Sequence, residues 1–165
     1  MNGSGGILVL GYGNPGRLDD GLGPALAGAV EALGIPGVEV DSGYQLMVED
    51  AARIAGRAAV VFADAAAAGP EPFSFEPVEP AGRAGFTTHS VSPGELMALA
   101  AALFGSTARG YILGIRGYAF DAFGERLSPR ARANLDAALA FLVPQLRAGR
   151  LPEAAPVSAS GGASG

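Results

Sequence analysis

The sequence predicts an α/β fold: a single three-layer sandwich in which a twisted, mostly parallel sheet carries helices on both faces. Three observations predict it. Short apolar runs rich in Val, Ile and Leu end at glycine or aspartate and lack the polar alternation of a sheet with one wet face. Segments with apolar residues at helical spacing separate these runs, the pattern of strand–helix–strand units. The chain has 165 residues, 49% of them hydrophobic and 16% charged, enough for one sizeable core in one domain.

Taken in order, Ile7–Leu10 reads as a buried strand bounded by glycine. Gly23–Leu33 follows as a helix, with Leu26, Val30 and Leu33 on one face and Pro24 near its start. Val38–Val40 is a second strand, ending at Asp41, Ser42 and Gly43. Leu46–Ile54 reads as a short helix, and Ala58–Ala63 as a third buried strand that ends at Asp64. Phe73–Val78 alternates apolar and polar residues but contains Pro77, which confines it to an edge. Pro93–Phe104 is a helix and Gly110–Ile115 another strand. Pro129–Leu146 is the last helix, with Ser128 as N-cap and Pro129 in first position. The domain therefore spans 1–147. The tail, 148–165, has no periodicity and is expected to be disordered. No internal repeat is present.

Composition removes several chemistries. There is no Cys, which excludes thiol nucleophiles, disulfides and zinc-thiolate sites. All 11 basic residues are Arg, which excludes a P-loop lysine, a Schiff base and a Ser–Lys dyad. Net charge is −5 and the arginines are scattered, so neither a nucleic-acid groove nor a polybasic membrane anchor is expected. The start of the chain has no charged region before ILVL, and no run is long enough to span a bilayer, so a cytoplasmic location is expected.

Gly11, Gly13 and Gly16 match the G-x-G-x-x-G spacing of a dinucleotide loop directly after a strand. Asp41 at the end of the second strand imitates the acid that binds a ribose. Against this, Asp19 and Asp20 stand where a pyrophosphate needs a positive helix start. Capping of the helix by a carboxylate accounts for one of the two acids, not for both.

Ligands of open α/β sheets gather outside the carboxyl ends of the strands. Asp19 and Asp20 follow the first strand, Asp41 the second and Asp64 the third. The only histidine, His89, lies in the loop GFTTHSVSPGEL before a helix. Each has an ordinary reading: a loop histidine is usually solvated, and an Asp after a strand often bonds the amides of the next turn. Together on one rim, two carboxylates and an imidazole form an open N/O donor set suited to a divalent transition metal. Ser90 and Ser92 lie nearby, but the chain has no G-x-S-x-G elbow for a serine hydrolase. It also has no H-E-x-x-H helix of a zinc protease.

G-Y-G-N-P at 11–15, D-D-G-L-G-P at 19–24, F-A-D-A at 62–65 and T-T-H at 87–89 resemble the maturation endopeptidases of [NiFe] hydrogenases. I-L-G-I-R at 112–116 and L-S-P at 127–129 match in kind and order, so the resemblance runs from Ile7 to Leu146. It implies a phosphorylase/hydrolase-like α/β sandwich. It also implies cleavage of one peptide bond near the C-terminus of the hydrogenase large-subunit precursor, after nickel insertion. The metal ligands and catalytic residues implied by the motifs are Asp20, Asp64 and His89. Nickel is then carried by the precursor, with none tightly bound to the isolated protein. D-S-G-Y-Q-L at 41–46 departs from the Asp-Gly-Gly/Thr-like turn of many members, which makes Asp41 and Gln45 candidates for substrate contact. Three other readings remain at this stage. A non-catalytic nickel- or precursor-binding chaperone would use the same ligands, and a nucleotide-binding protein would use the glycine loop. A peptidyl-tRNA hydrolase would share the G-N-P-G opening, but R-L-D-D-G-L-G stands where its T-R-H-N segment is expected.

Overall fold

A computed structural model describes residues 5–81, 91–152 and 157–158 of the chain. The strands are β1 (Ile7–Tyr12), β2 (Val38–Gly43), β3 (Ala59–Ala66), β4 (Phe73–Val78), β5 (Arg109–Arg116) and the two-residue β6 (Val157–Ser158). The helices are α1 (Leu22–Leu33), α2 (Asp50–Ile54), α3 (Pro93–Phe104) and α4 (Pro129–Ala148). A 3₁₀ turn over Leu18–Gly21 joins the β1 loop to α1.

The six strands form one sheet in the order β2-β1-β3-β5-β4-β6. β2, β1, β3 and β5 run parallel, while β4 is antiparallel to β5 and β6 antiparallel to β4. Side-chain alternation divides the core in two. Ile7, Val9, Val61 and Leu113 pack with Leu22, Leu26 and Val30 of α1 and with Leu135, Leu142 and Leu146 of α4. Leu8, Leu10, Val60 and Phe62 point the other way, onto Ile54 of α2 and Leu96 and Met97 of α3. Both faces are covered, so the central strands are apolar throughout and the expected three-layer sandwich is observed.

β4 is not the outermost strand expected from Pro77, since β6 pairs beyond it at Ser74 and Phe75; among the described residues nothing pairs beyond it at Pro77. Phe73 and Phe75 hold β4 down on α4, with ring centroids 5.2 and 5.1 Å from Phe141, and Phe75 stacks on Tyr111 at 5.0 Å. Such pairs each contribute about 0.5–1.5 kcal/mol beyond their buried area.

The helix expected over Leu46–Ile54 is shorter. Only Asp50–Ile54 is α-helical, because the Asp50 carboxylate accepts from the Met47 amide (2.9 Å) and i→i+3 bonds close the preceding turn. α3 opens on a capping box: Ser92 Oγ accepts from Glu95 N, and the Glu95 carboxylate accepts from Ser92 N. α4 starts at the expected cap, Ser128, whose Oγ accepts from Ala131 N. It runs one residue past the expected boundary at 147. Leu151 then packs on the core and Val157–Ser158 pair with β4, while 153–156 and 159–165 lie outside the described residues. Among the described residues, no helix is long and apolar enough to cross a membrane.

Candidate functional site

β1 sits between β2 and β3, so the chain leaves it on one side through α1 and returns on the other through α2. The crevice at the carboxyl ends of β1 and β3 is thus the topological switch point of the sheet, where open α/β folds bind ligands.

The glycine loop fills this crevice with its own groups. A Cβ on Gly23 would lie 2.4 Å from the Tyr12 carbonyl oxygen and 2.5 Å from that of Ala63, so α1 is pressed onto the ends of β1 and β3. Gly13 has φ +140°, and a Cβ there would lie 2.2 Å from the Asp20 carbonyl oxygen. The loop amide of Asn14 donates to Asp20 Oδ2 (2.8 Å), and the Asn14 side-chain oxygen accepts from Gly16 N (2.9 Å). A backbone N–H that a phosphate would need is therefore bound to a carboxylate of the same loop. The dinucleotide spacing of the glycines serves close packing and a tight turn instead.

The two neighbouring aspartates have separate tasks. Asp19 is fully buried, and its carboxylate accepts from Tyr118 N (2.8 Å), Ala119 N (3.0 Å), Ser128 N (2.7 Å) and Ser128 Oγ (2.7 Å). Burial alone would raise its pKa, but the bonds from Ser128, Ala119 and Tyr118 outweigh that and hold the carboxyl below its ordinary value. Asp19 fastens the loop to the segment before α4. Asp20 is left half-buried at the mouth of the crevice.

Asp64 follows Val60 and Phe62 in alternation and so lies on the α2/α3 face of β3. Burial pushes its carboxyl up to about 6; the bond from Ala65 N (2.7 Å) opposes this, and the nearby Asp20 carboxylate adds to it. The structure thus brings Asp20 and Asp64 within electrostatic reach of each other across the β1/β3 switch point. Tyr12, next after Leu8 and Leu10 on the same face of β1, completes the wall. Its hydroxyl is pushed above its ordinary value by burial and by Asp64.

Asp41 and Gln45 meet in a neighbouring cavity of about 160 Å³ at the ends of β1 and β2, which Tyr12 and Asp50 also line. Arg53 Nη2 approaches Asp41 at 3.5 Å from α2, and Arg53 Nε approaches Asp50 at 3.7 Å. Tyr12 therefore borders both the acid pair and this cavity. Sequence reasoning missed it, although the alternation of β1 marks it as facing the same side as Asp64. His89 lies outside the described residues. Among the described residues, no three His or acidic side chains gather closely enough to hold a metal ion.

No protein-family model and no curated protein matches the sequence. Solved structures do. The [NiFe] hydrogenase maturation protease HycI from Thermococcus kodakarensis KOD1 superposes with a TM-score of 0.66 at 21% identity, over 89% of this chain and 95% of that one. The hydrogenase maturating endopeptidase HybD from E. coli gives 0.64 at 24%, over 94% and 99%. The hydrogenase 2 maturation peptidase from Thaumarchaeota archaeon SCGC_AB-539-E09 gives 0.61 at 20%, over 86% and 97%. This chain has their fold.

Proposed function

We propose that this chain is a cytoplasmic endopeptidase that removes the C-terminal extension of a nickel-loaded [NiFe] hydrogenase large-subunit precursor. The observation that carries this reading is the pair Asp20 and Asp64, held at the switch point of a hydrogenase maturation protease fold with the Asp64 carboxyl raised to about 6. Two carboxylates that repel each other gain most when a cation arrives between them, and the cation here is nickel already bound in the substrate. Asp20 and Asp64 would ligate it, with His89 as the nitrogen donor, a mixed O/N set suited to a divalent transition metal.

Binding at these fixed groups turns hydrolysis into a positioned reaction of one chosen peptide bond. Asn14 N orients Asp20, and Ala65 N orients Asp64, so neither carboxylate needs to reorganise as the precursor docks. A water activated by carboxylate attacks the scissile carbonyl, which the substrate's metal polarises. Asp41 and Gln45 contact the precursor chain beside the bond.

The test is the intact mass of the nickel-loaded precursor before and after incubation with wild type, Asp20→Asn or Asp64→Asn. Loss of a defined C-terminal peptide with wild type alone is the expected result. An unchanged mass with verified nickel loading would replace the protease by a binding module that grips the precursor without cutting it.

A further inference from the structure

The two margins of the sheet are built differently. On one side β4 carries Pro77 and is covered at Ser74 and Phe75 by β6, devices that stop a strand from recruiting another. On the other side β2 is regular: it pairs with β1 in unbroken register from Ile7 with Val38 to Tyr12 with Gly43, without a bulge or proline. The carbonyls of Gly37 and Gly43 accept from Ile7 N and Gly13 N, so the odd-numbered residues of β2 aim their backbone groups at β1. The even-numbered Val40 and Ser42 then aim theirs outward. Among the described residues, no hydrogen bond uses these outward groups. Glu39 and Asp41 do not block the edge, because Arg53 and Arg57 draw them back over α2.

The geometry points to the free edge of β2 as the docking strand for the precursor's C-terminal segment, bound in extended form by β-augmentation. This rests on the protease reading for the identity of the occupant. Three features favour that occupant. The edge offers the carbonyl of Val38 and both groups of Val40 and Ser42, a run of about 13 Å at the rise of an extended chain. Its carboxyl end forms the wall of the cavity that holds Asp41 and Gln45. Tyr12, on the far wall of that cavity, borders Asp64. A peptide laid along β2 is thereby fed toward the acid pair, and one of its side chains enters a cavity of about 160 Å³, a volume comparable to that which holds one benzene ring. Backbone pairing gives affinity and the cavity gives selectivity, the usual division in strand addition.

The experiment is residue-resolved amide exchange of the full chain with a synthetic peptide spanning the precursor's C-terminal segment, against a scrambled peptide. Exchange at Val40 and Ser42 is expected to slow with the cognate peptide only, while the inward amides of Glu39 and Asp41 stay as they were. In parallel, Val40→Pro and Ser42→Pro remove one outward donor each and leave the ladder to β1 intact. Each is expected to raise KM for the nickel-loaded precursor roughly fivefold, the usual worth of one hydrogen bond, with kcat retained. Unchanged exchange at Val40 and Ser42 overturns the inference, whether or not the proline variants fold. Slowing that follows the chain's own concentration without peptide also overturns it and assigns the edge to a second copy. If wild type leaves the nickel-loaded precursor uncut while the peptide still protects Val40 and Ser42, the edge stands and the protease reading falls.

Discussion

Replacing Asp19 by Ala should cost far more than its position beside a candidate metal ligand suggests. Its fully buried carboxylate satisfies three backbone N–H groups and the Ser128 hydroxyl. The hydroxyl still accepts from Ala131 N but loses the acceptor for its own proton, and the three amides are left without an acceptor. At about 1 kcal/mol each, the lower end for an orphaned buried donor because the loop relaxes, plus the lost charge assistance, the cost is about 3–5 kcal/mol. In a chain of this size that lowers Tm by roughly 10 °C. Asp19→Asn separates charge from shape: its carbonyl oxygen can replace Oδ2, but its amide then meets Ser128 N, donor against donor, and about 2 kcal/mol is lost. The assay is urea unfolding followed by far-UV circular dichroism, at several pH values. Because the folded-state pKa of Asp19 lies below its ordinary 3.8, the carboxylate stabilises the fold fully above that value and loses this effect as pH falls beneath it. The gap between wild type and Asp19→Asn should accordingly be constant near neutrality and shrink in acid. If Asp19→Ala unfolds within about 1 kcal/mol of wild type, the carboxylate is not what ties the two segments together.

Asp64→Asn should abolish processing yet stabilise the nickel-free chain at neutral pH. The folded pKa of about 6 exceeds the ordinary 3.8, so ionised Asp64 costs stability progressively between those values and fully above them. The gain for the variant is about 1–2 kcal/mol at pH 7.5 once solvent screening of a partly open group is allowed for, and it should vanish near pH 3; calorimetry at both values decides. Gly23→Ala drives a Cβ to 2.4 and 2.5 Å from two carbonyl oxygens, which should cost about 2–3 kcal/mol. Gly28→Ala, with nothing within 4 Å on the same helix, should add about 0.5–1 kcal/mol; equal effects of the two would contradict the close packing of α1. Ser128→Ala removes both the cap of α4 and a partner of Asp19, and denaturation should show a loss of about 1–2 kcal/mol.

What the sequence made legible follows from which forces are local. The central strands were readable because burial on both faces leaves Leu8, Val9, Leu10 and Val60, Val61, Phe62 uninterrupted, a pattern that needs no knowledge of partners. Ser128 was readable as a cap because the cap bonds only three residues ahead. The start of α2 was not, since Leu46 is buried from a turn yet fits a helical stripe, and the competing bond from Met47 N to Asp50 leaves no periodic mark. The acid pair was half legible. Alternation and strand ends place Asp20 and Asp64 on one rim, but the division of labour between Asp19 and Asp20 depends on amides about 100 residues away, which no local pattern encodes. Tyr12 was legible in principle, and was hidden by reading the glycines on either side of it as the message.

The bond from Asn14 N to Asp20 has a consequence for selectivity. A glycine loop after a strand is a standing invitation to phosphate. Here the invitation is already accepted by an anion six residues along the same chain, whose local concentration is that of a tethered group, in the millimolar range or above for short connections. A free nucleotide must displace it and also sit beside Asp64. The chain thus carries a built-in competitor for anions, tethered in the loop whose glycines would otherwise cradle them.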